Sequence, residues 1–209
     1  MSLAEKLAQG TAELGLQVSA DVRGRLLDYL ALIAKWNRVH NLTAVRDSTK
    51  MVSAHLLDCL AIVPYLHADT VLDVGSGAGF PGIPLALMWP QAHVVLLDSN
   101  HKKAAFLRQA VIELGLMNTE VICERVESWH PQTTFDLVIS RAFSDLPEFV
   151  RLAGRLCSAD GLVATMKGVY PHEELAQVPG DFVLHSAQAL KVPGLSAERH
   201  LVLLSPSRT

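Results

Sequence analysis

The chain has 209 residues, half of them apolar and 19% charged, with 13 glycines and 10 prolines. A chain of that length buries roughly 70% of its unfolded surface without help from a disulfide or metal, and the composition excludes a disordered, collagenous or mucin-like protein. The formal net charge of −3 excludes a uniformly basic surface and leaves room for a local basic patch.

No apolar run approaches the ~18 residues of a membrane-spanning helix. Glu5 and Lys6 fall where a signal peptide needs its apolar stretch, so a cytoplasmic protein is expected. Cys59, Cys123 and Cys157 stand among apolar neighbours with no CxxC pair. They read as buried thiols in a reducing compartment. The histidines form no HExxH and no close cluster, so no metal site is expected.

Residues 1–66 read as a helical extension. Val22, Leu26, Tyr29, Ile33 and Trp36 make one apolar stripe at helical spacing, with Ser19 as its N-cap. Asn41-Leu42-Thr43 breaks that helix, a short one follows over about 49–60, and Pro64 closes it. From residue 67 to 209 the pattern changes to one compact unit. Short Val/Leu/Ile runs at 71–74, 94–97, 120–123, 137–139 and 162–166 alternate with helical stretches. Continuous apolar runs mean strands covered on both faces, so the fold class is α/β, Rossmann-like, with a mostly parallel sheet. The helix over 99–114 takes Ser99 as N-cap and Gly115 as its stop. The segments 182–192 and 200–204 predict a C-terminal antiparallel hairpin. No coiled-coil seam is present, and a monomer is expected.

The sharpest motif is the run from Asp73 to Gly82, placed after the first strand and before a helix. A dinucleotide fingerprint needs its third glycine at position 80, which is Phe80. The glycines fall instead at Gly75, Gly77 and Gly79, a D-x-G-x-G-x-G form that resembles motif I of class I S-adenosylmethionine methyltransferases. Asp98 ends the second strand, where a carboxylate can accept from both ribose hydroxyls; capping the next helix is its alternative role. Arg141 follows the fourth strand at the crevice where open α/β sheets bind ligands, facing the cofactor or an acceptor phosphate or base. No N/D-P-P-Y/F and no Pro-Cys occurs at that edge, so neither amine nor carbon-5 pyrimidine methylation is indicated. The acceptor is then an atom that is already nucleophilic, such as guanine N7. It loses no proton, so catalysis needs no acid or base, only positioning.

The resemblance extends beyond motif I. The runs 35–37, 41–47, His55-Leu56-Leu57-Asp58, 73–84, 96–99, 138–143 and Met166-Lys167-Gly168 resemble the RsmG (glucose-inhibited division protein B) family of bacterial 16S rRNA guanine-N7 methyltransferases over about residues 29–168. Ala54 and Cys59 depart from the Arg and Ser common in that family. The resemblance implies methyl transfer from S-adenosylmethionine to a guanine N7 in the decoding-region (530) loop of 16S rRNA, free or in the small ribosomal subunit. It implies cofactor contacts at Gly75, Phe80, Val126, Glu127 and Arg141, beside Asp73, Gly77, Gly79 and Asp98 of the motif. Arg141 and Lys167 are the candidates for positioning the reaction. On the RNA side the candidates are Lys35, Arg38, Arg46, His55, Lys102, Lys103 and Lys167, with phosphate contacts that position rather than specify.

Overall fold

The computed structural model describes residues 1–141, 143 and 145–207. Helix α1 (Leu3–Glu13) opens on a capping box in which Ser2 and Glu5 exchange hydrogen bonds. Helix α2 (Ala20–His40) starts at Ser19, whose hydroxyl accepts from the Val22 N–H. It stops at Asn41, which adopts a left-handed φ of 47° and so breaks the helix where the sequence indicates. The short helix expected over 49–60 is instead three pieces: α3 (Ser48–Met51), a π-helical turn (Val52–Leu57) and α4 (Asp58–Leu60). The Asp58 N–H reaches back five residues to the Ser53 carbonyl, the wide turn that marks functional sites in many helices.

The remaining elements alternate: β1 (Thr70–Val74), α5 (Gly82–Met88), β2 (His93–Leu97), α6 (His101–Glu113), β3 (Thr119–Ile122), β4 (Phe135–Ser140), α7 (Leu146–Ala153), β5 (Cys157–Lys167), α8 (His172–Leu175), β6 (Phe182–Ala189) and β7 (His200–Pro206). They form one seven-stranded sheet in the order β3-β2-β1-β4-β5-β7-β6. The first five strands in that order are parallel, and β7 runs antiparallel between β5 and β6. The C-terminal hairpin therefore joins the sheet by its second strand. Ser99 does not cap α6. The Asp98 Oδ1 takes the Asn100 N–H, which moves the helix start on by one, and Asn100 caps it through Lys102 and Lys103 N–H. Gly115, at φ +59°, ends α6 as expected.

Alternate strand residues go to opposite layers. Val71 joins a core shared with α1, α2, α5 and α6. Leu72 and Val74 join a second core with Leu146, Phe149 and Val150 of α7. The N-terminal helices thus cover one face of the sheet and α7 the other. Among the described residues no helix is long and apolar enough to cross a membrane.

Candidate active site

The loop after β1 is tied down from below. The N–H groups of Gly75 and Ser76 both donate to the Leu97 carbonyl, 2.8 and 3.1 Å away. Gly75, Gly77 and Gly79 take φ values of 69°, 63° and 92°, a region an L side chain enters only under strain. Asp73 is completely buried beneath the loop. Its Oδ2 accepts from the Gly82 N–H at 3.0 Å, at the start of α5. Gly82 is needed there because a Cβ would lie 2.7 Å from that oxygen and press on Leu96. Asp73, expected as a cofactor contact, is therefore a brace with no exposed atom.

Burial raises the Asp73 pKa to about 7, and its Oδ1 has no partner. His55, also buried, goes the other way: desolvation and then Arg141 lower it to about 4. Between pH ~4 and 7 the folded chain holds a proton on Asp73 that the unfolded chain has released, so this group's contribution falls as pH rises. Between pH ~6.5 and 4 the unfolded chain protonates His55 and the folded one does not, so stability falls as pH drops. The two slopes oppose each other. In Asp73→Asn, the melting temperature is expected to fall more steeply from pH 7 to 4.5 than in the parent chain. An unchanged profile would contradict the assignment.

Beside the loop lies a cleft of about 440 Å³, lined by Gly75, Asp98, Val126, Glu127, Phe143 and Leu152 among others. That is within the usual range for a small-molecule site. Each Asp98 oxygen already accepts one backbone N–H, Oδ2 from Gly77 and Oδ1 from Asn100, both at 2.8 Å. The carboxylate is thus fixed in place, and each oxygen keeps a lone pair for a ribose hydroxyl. Val126, Phe143 and Leu152 supply apolar walls for an adenine. The residues present fit S-adenosylmethionine. Gly77 and Gly79 shape the loop without lining this cleft; a Cβ on Gly79 would meet the Tyr29 hydroxyl and Ile83.

Phe80 and Arg141 lie outside the cleft lining and meet each other. The Arg141 guanidinium sits 4.5 Å from the Phe80 ring centre. The Phe80 ring is also packed against His55 at 4.8 Å and Tyr29 at 5.3 Å. Around them runs a polar network built from the π turn. The His55 Nδ1 donates to the Ala54 carbonyl at 2.9 Å, so Nε2 accepts from the Thr43 hydroxyl at 2.8 Å. Thr43 is held in turn by both ends of the Asn37 amide. Asp58 lies between two guanidiniums, Arg199 Nε at 3.0 Å from Oδ1 and Arg141 Nη1 at 3.7 Å from Oδ2. Burial raises the Asp58 pKa, and the two arginines pull it back. Arg199 is not legible in the sequence as a site residue: it arrives there only because β7 inserts next to β5.

Of the RNA-side candidates, Lys35, Arg38, Arg46 and Lys102 are exposed. Lys103 lines the cleft beside the loop. His55 is buried with both ring nitrogens bonded inside the chain, so it supports Phe80 instead of facing a partner. Lys167 is paired with Glu174 at 2.7 Å, its side chain 13% exposed. Arg23 donates to the Val18 carbonyl. Arg25 donates to the Leu114 carbonyl at the end of α6. Arg25→Ala is expected to cost about 1 kcal/mol of stability by leaving that carbonyl unpaired, with no change in acceptor KM. Urea unfolding and steady-state kinetics check the two halves of that statement.

Known proteins place the chain. A family model, GidB: rRNA small subunit methyltransferase G, matches residues 23–202. Ribosomal RNA small subunit methyltransferase G of Nitrosospira multiformis is 56% identical over 98% of each chain. That of Laribacter hongkongensis is 56% identical over 98% of this chain and 99% of its own. In structure, the O-methyltransferase TomG from Streptomyces achromogenes, solved with SAM, superposes with a TM-score of 0.62 at 20% identity over the whole of both chains, which supports the fold. The chain belongs to the GidB family of rRNA small subunit methyltransferases G.

Proposed function

We propose that this protein transfers a methyl group from S-adenosylmethionine to N7 of a guanine in the decoding-region (530) loop of 16S rRNA. It acts as a cytoplasmic monomer on the small subunit or its assembly intermediate. When bound, S-adenosylmethionine supplies an electrophilic methyl on a sulfonium centre. The chain itself holds the cofactor's ribose on Asp98 and its base against Val126, and presents the acceptor beside Phe80 and Arg141.

One observation carries the N7 reading. Two titratable groups beside Arg141 are engaged: both His55 nitrogens are bonded within the chain, and Asp58 is divided between two arginines; Asp73, though one of its oxygens is unpartnered, is completely buried under the loop. An acceptor that must lose a proton would find those groups engaged or buried. Guanine N7 has a free lone pair and needs only alignment, stacking and a favourable field. Arg141, stacked on Phe80 and paired with Asp58, is oriented to align the acceptor by hydrogen bonding.

RNA as acceptor predicts a steep salt dependence. With three or four phosphate contacts, kcat/KM should fall roughly 20- to 50-fold between 50 and 200 mM salt, because bound counterions are released. Cofactor affinity should change little over the same range. A salt-independent rate would redirect the acceptor to a neutral small molecule.

A further inference from the structure

Lys167 and Glu174 form the tightest ion pair among the described residues, with Lys167 Nζ 2.7 Å from Glu174 Oε2. The same oxygen accepts the Leu146 backbone N–H at 2.6 Å. Leu146 is the first residue of α7, and it is buried. A helix leaves its first N–H groups without intrahelical partners, and each buried one must find an acceptor. For α7 that need is met in full. Pro147 carries no N–H. Glu148 N–H donates to the Asp145 side chain and Phe149 N–H to the Asp145 carbonyl. Leu146 N–H depends on Glu174, which lies outside the helix in α8.

The helix so anchored is a wall of the cofactor cleft. Glu148 and Leu152 line it directly. Phe143, which also lines it, rests on Phe149 of α7 with ring centres 5.2 Å apart. The strut therefore runs from the end of β5, through Lys167 and Glu174, into the first turn of α7 and on to the cleft. Within that strut Lys167 fixes the Glu174 carboxylate, which carries 31% side-chain exposure and would otherwise be free to turn to solvent.

We infer that Lys167 and Glu174 are positioning residues for the cofactor cleft, acting through the N-terminus of α7. This rests on the reading of that cleft as the S-adenosylmethionine site, and it assigns Lys167 to the cofactor side instead of to an RNA phosphate. Glu174 acts by accepting a hydrogen bond, so an amide oxygen can replace it; Lys167 acts by orienting Glu174, so its loss adds nothing once Glu174 is gone.

Calorimetric titration with S-adenosylhomocysteine tests this without any RNA. Lys167→Ala and Glu174→Ala should each weaken binding about fivefold, the effect of one net hydrogen bond. Glu174→Gln should return to within about twofold of the parent chain, because its amide oxygen still accepts from Leu146. The double alanine variant should match Glu174→Ala alone, the signature of two residues in one chain of contacts. A residue that only stabilises the fold would lower the melting temperature with the dissociation constant unmoved. Parent-like affinity in Lys167→Ala and Glu174→Ala would overturn the inference, whatever happens to rRNA kinetics. If Glu174→Ala fails to fold, the affinity of Lys167→Ala decides between the two outcomes. Failure of the parent chain to bind S-adenosylhomocysteine would instead overturn the reading of the cleft.

Discussion

Asp98→Ala is expected to weaken S-adenosylmethionine binding by about 100-fold. Two hydrogen bonds to a charged acceptor, each worth about 1.5 kcal/mol or more, disappear together. The loop also loses a tie, because the Gly77 N–H no longer has the Asp98 Oδ2 as its acceptor. Asp98→Asn keeps one oxygen and should lose about tenfold. Asp98 is at the edge of the sheet's C-terminal end and takes no part in either hydrophobic core, so the melting temperature of both variants should fall by only a few degrees. Calorimetric titration beside thermal unfolding separates these effects. Parent-like affinity in Asp98→Ala would place the ribose elsewhere.

The second large effect is at Asp58. Its side chain is 4% exposed, and those of Arg141 and Arg199 are 23% and 26% exposed. Asp58→Ala leaves two mostly buried guanidiniums without their shared counter-charge. Stranding a buried ion costs more than the pair contributed, by about 3–5 kcal/mol when burial is complete. With these arginines partly in water, about 2–3 kcal/mol is expected, or roughly 6–10 °C in melting temperature for a chain of this size. Methyl transfer should fall at least tenfold as well, since Arg141 loses the contact that holds it over Phe80. Arg199→Ala should cost less stability, because Asp58 and Arg141 remain paired. Chemical denaturation of the two variants checks the order: a larger loss in Arg199→Ala would contradict it.

The two halves of this site are unequally legible in the sequence. The cofactor half follows from short-range patterns. The glycines at 75, 77 and 79 sit in one turn, and their positive φ values are what that spacing requires. Asp98 is one strand away by a right-handed crossover, which an alternation of strands and helices already implies. Asp73 reads as a ligand contact because the motif cannot distinguish a residue on the loop from one beneath it. Its burial depends on α5 closing over it through Gly82, and that is a matter of packing.

The Asp58–Arg141–Arg199 cluster is assembled from distant parts of the chain. Asp58, Arg141 and Arg199 meet only after β4, β5 and β7 are in order, and a hairpin pattern does not reveal that β7 inserts between β5 and β6. In the sequence, His55 and Asp58 resemble one turn of an ordinary helix bracing the crevice. They lie instead on and just after a π turn, with the histidine packed on Phe80. Lys167 resembles a free cation at a strand end. Its partner Glu174 lies in a four-residue helix with too little periodicity to be read. The exposed cations Lys35, Arg38, Arg46 and Lys102 keep the surface positions expected of phosphate contacts, while Arg23 and Arg25 are taken up by backbone carbonyls.

The most direct test of the central claim is methyl transfer from labelled S-adenosylmethionine to unmodified small-subunit rRNA, offered both free and as assembled particles, with the product digested and the nucleoside identified. A single N7-methylguanosine, located in the decoding-region loop, is the predicted product. Label in any other nucleoside, or none in RNA although the cofactor binds, would contradict it.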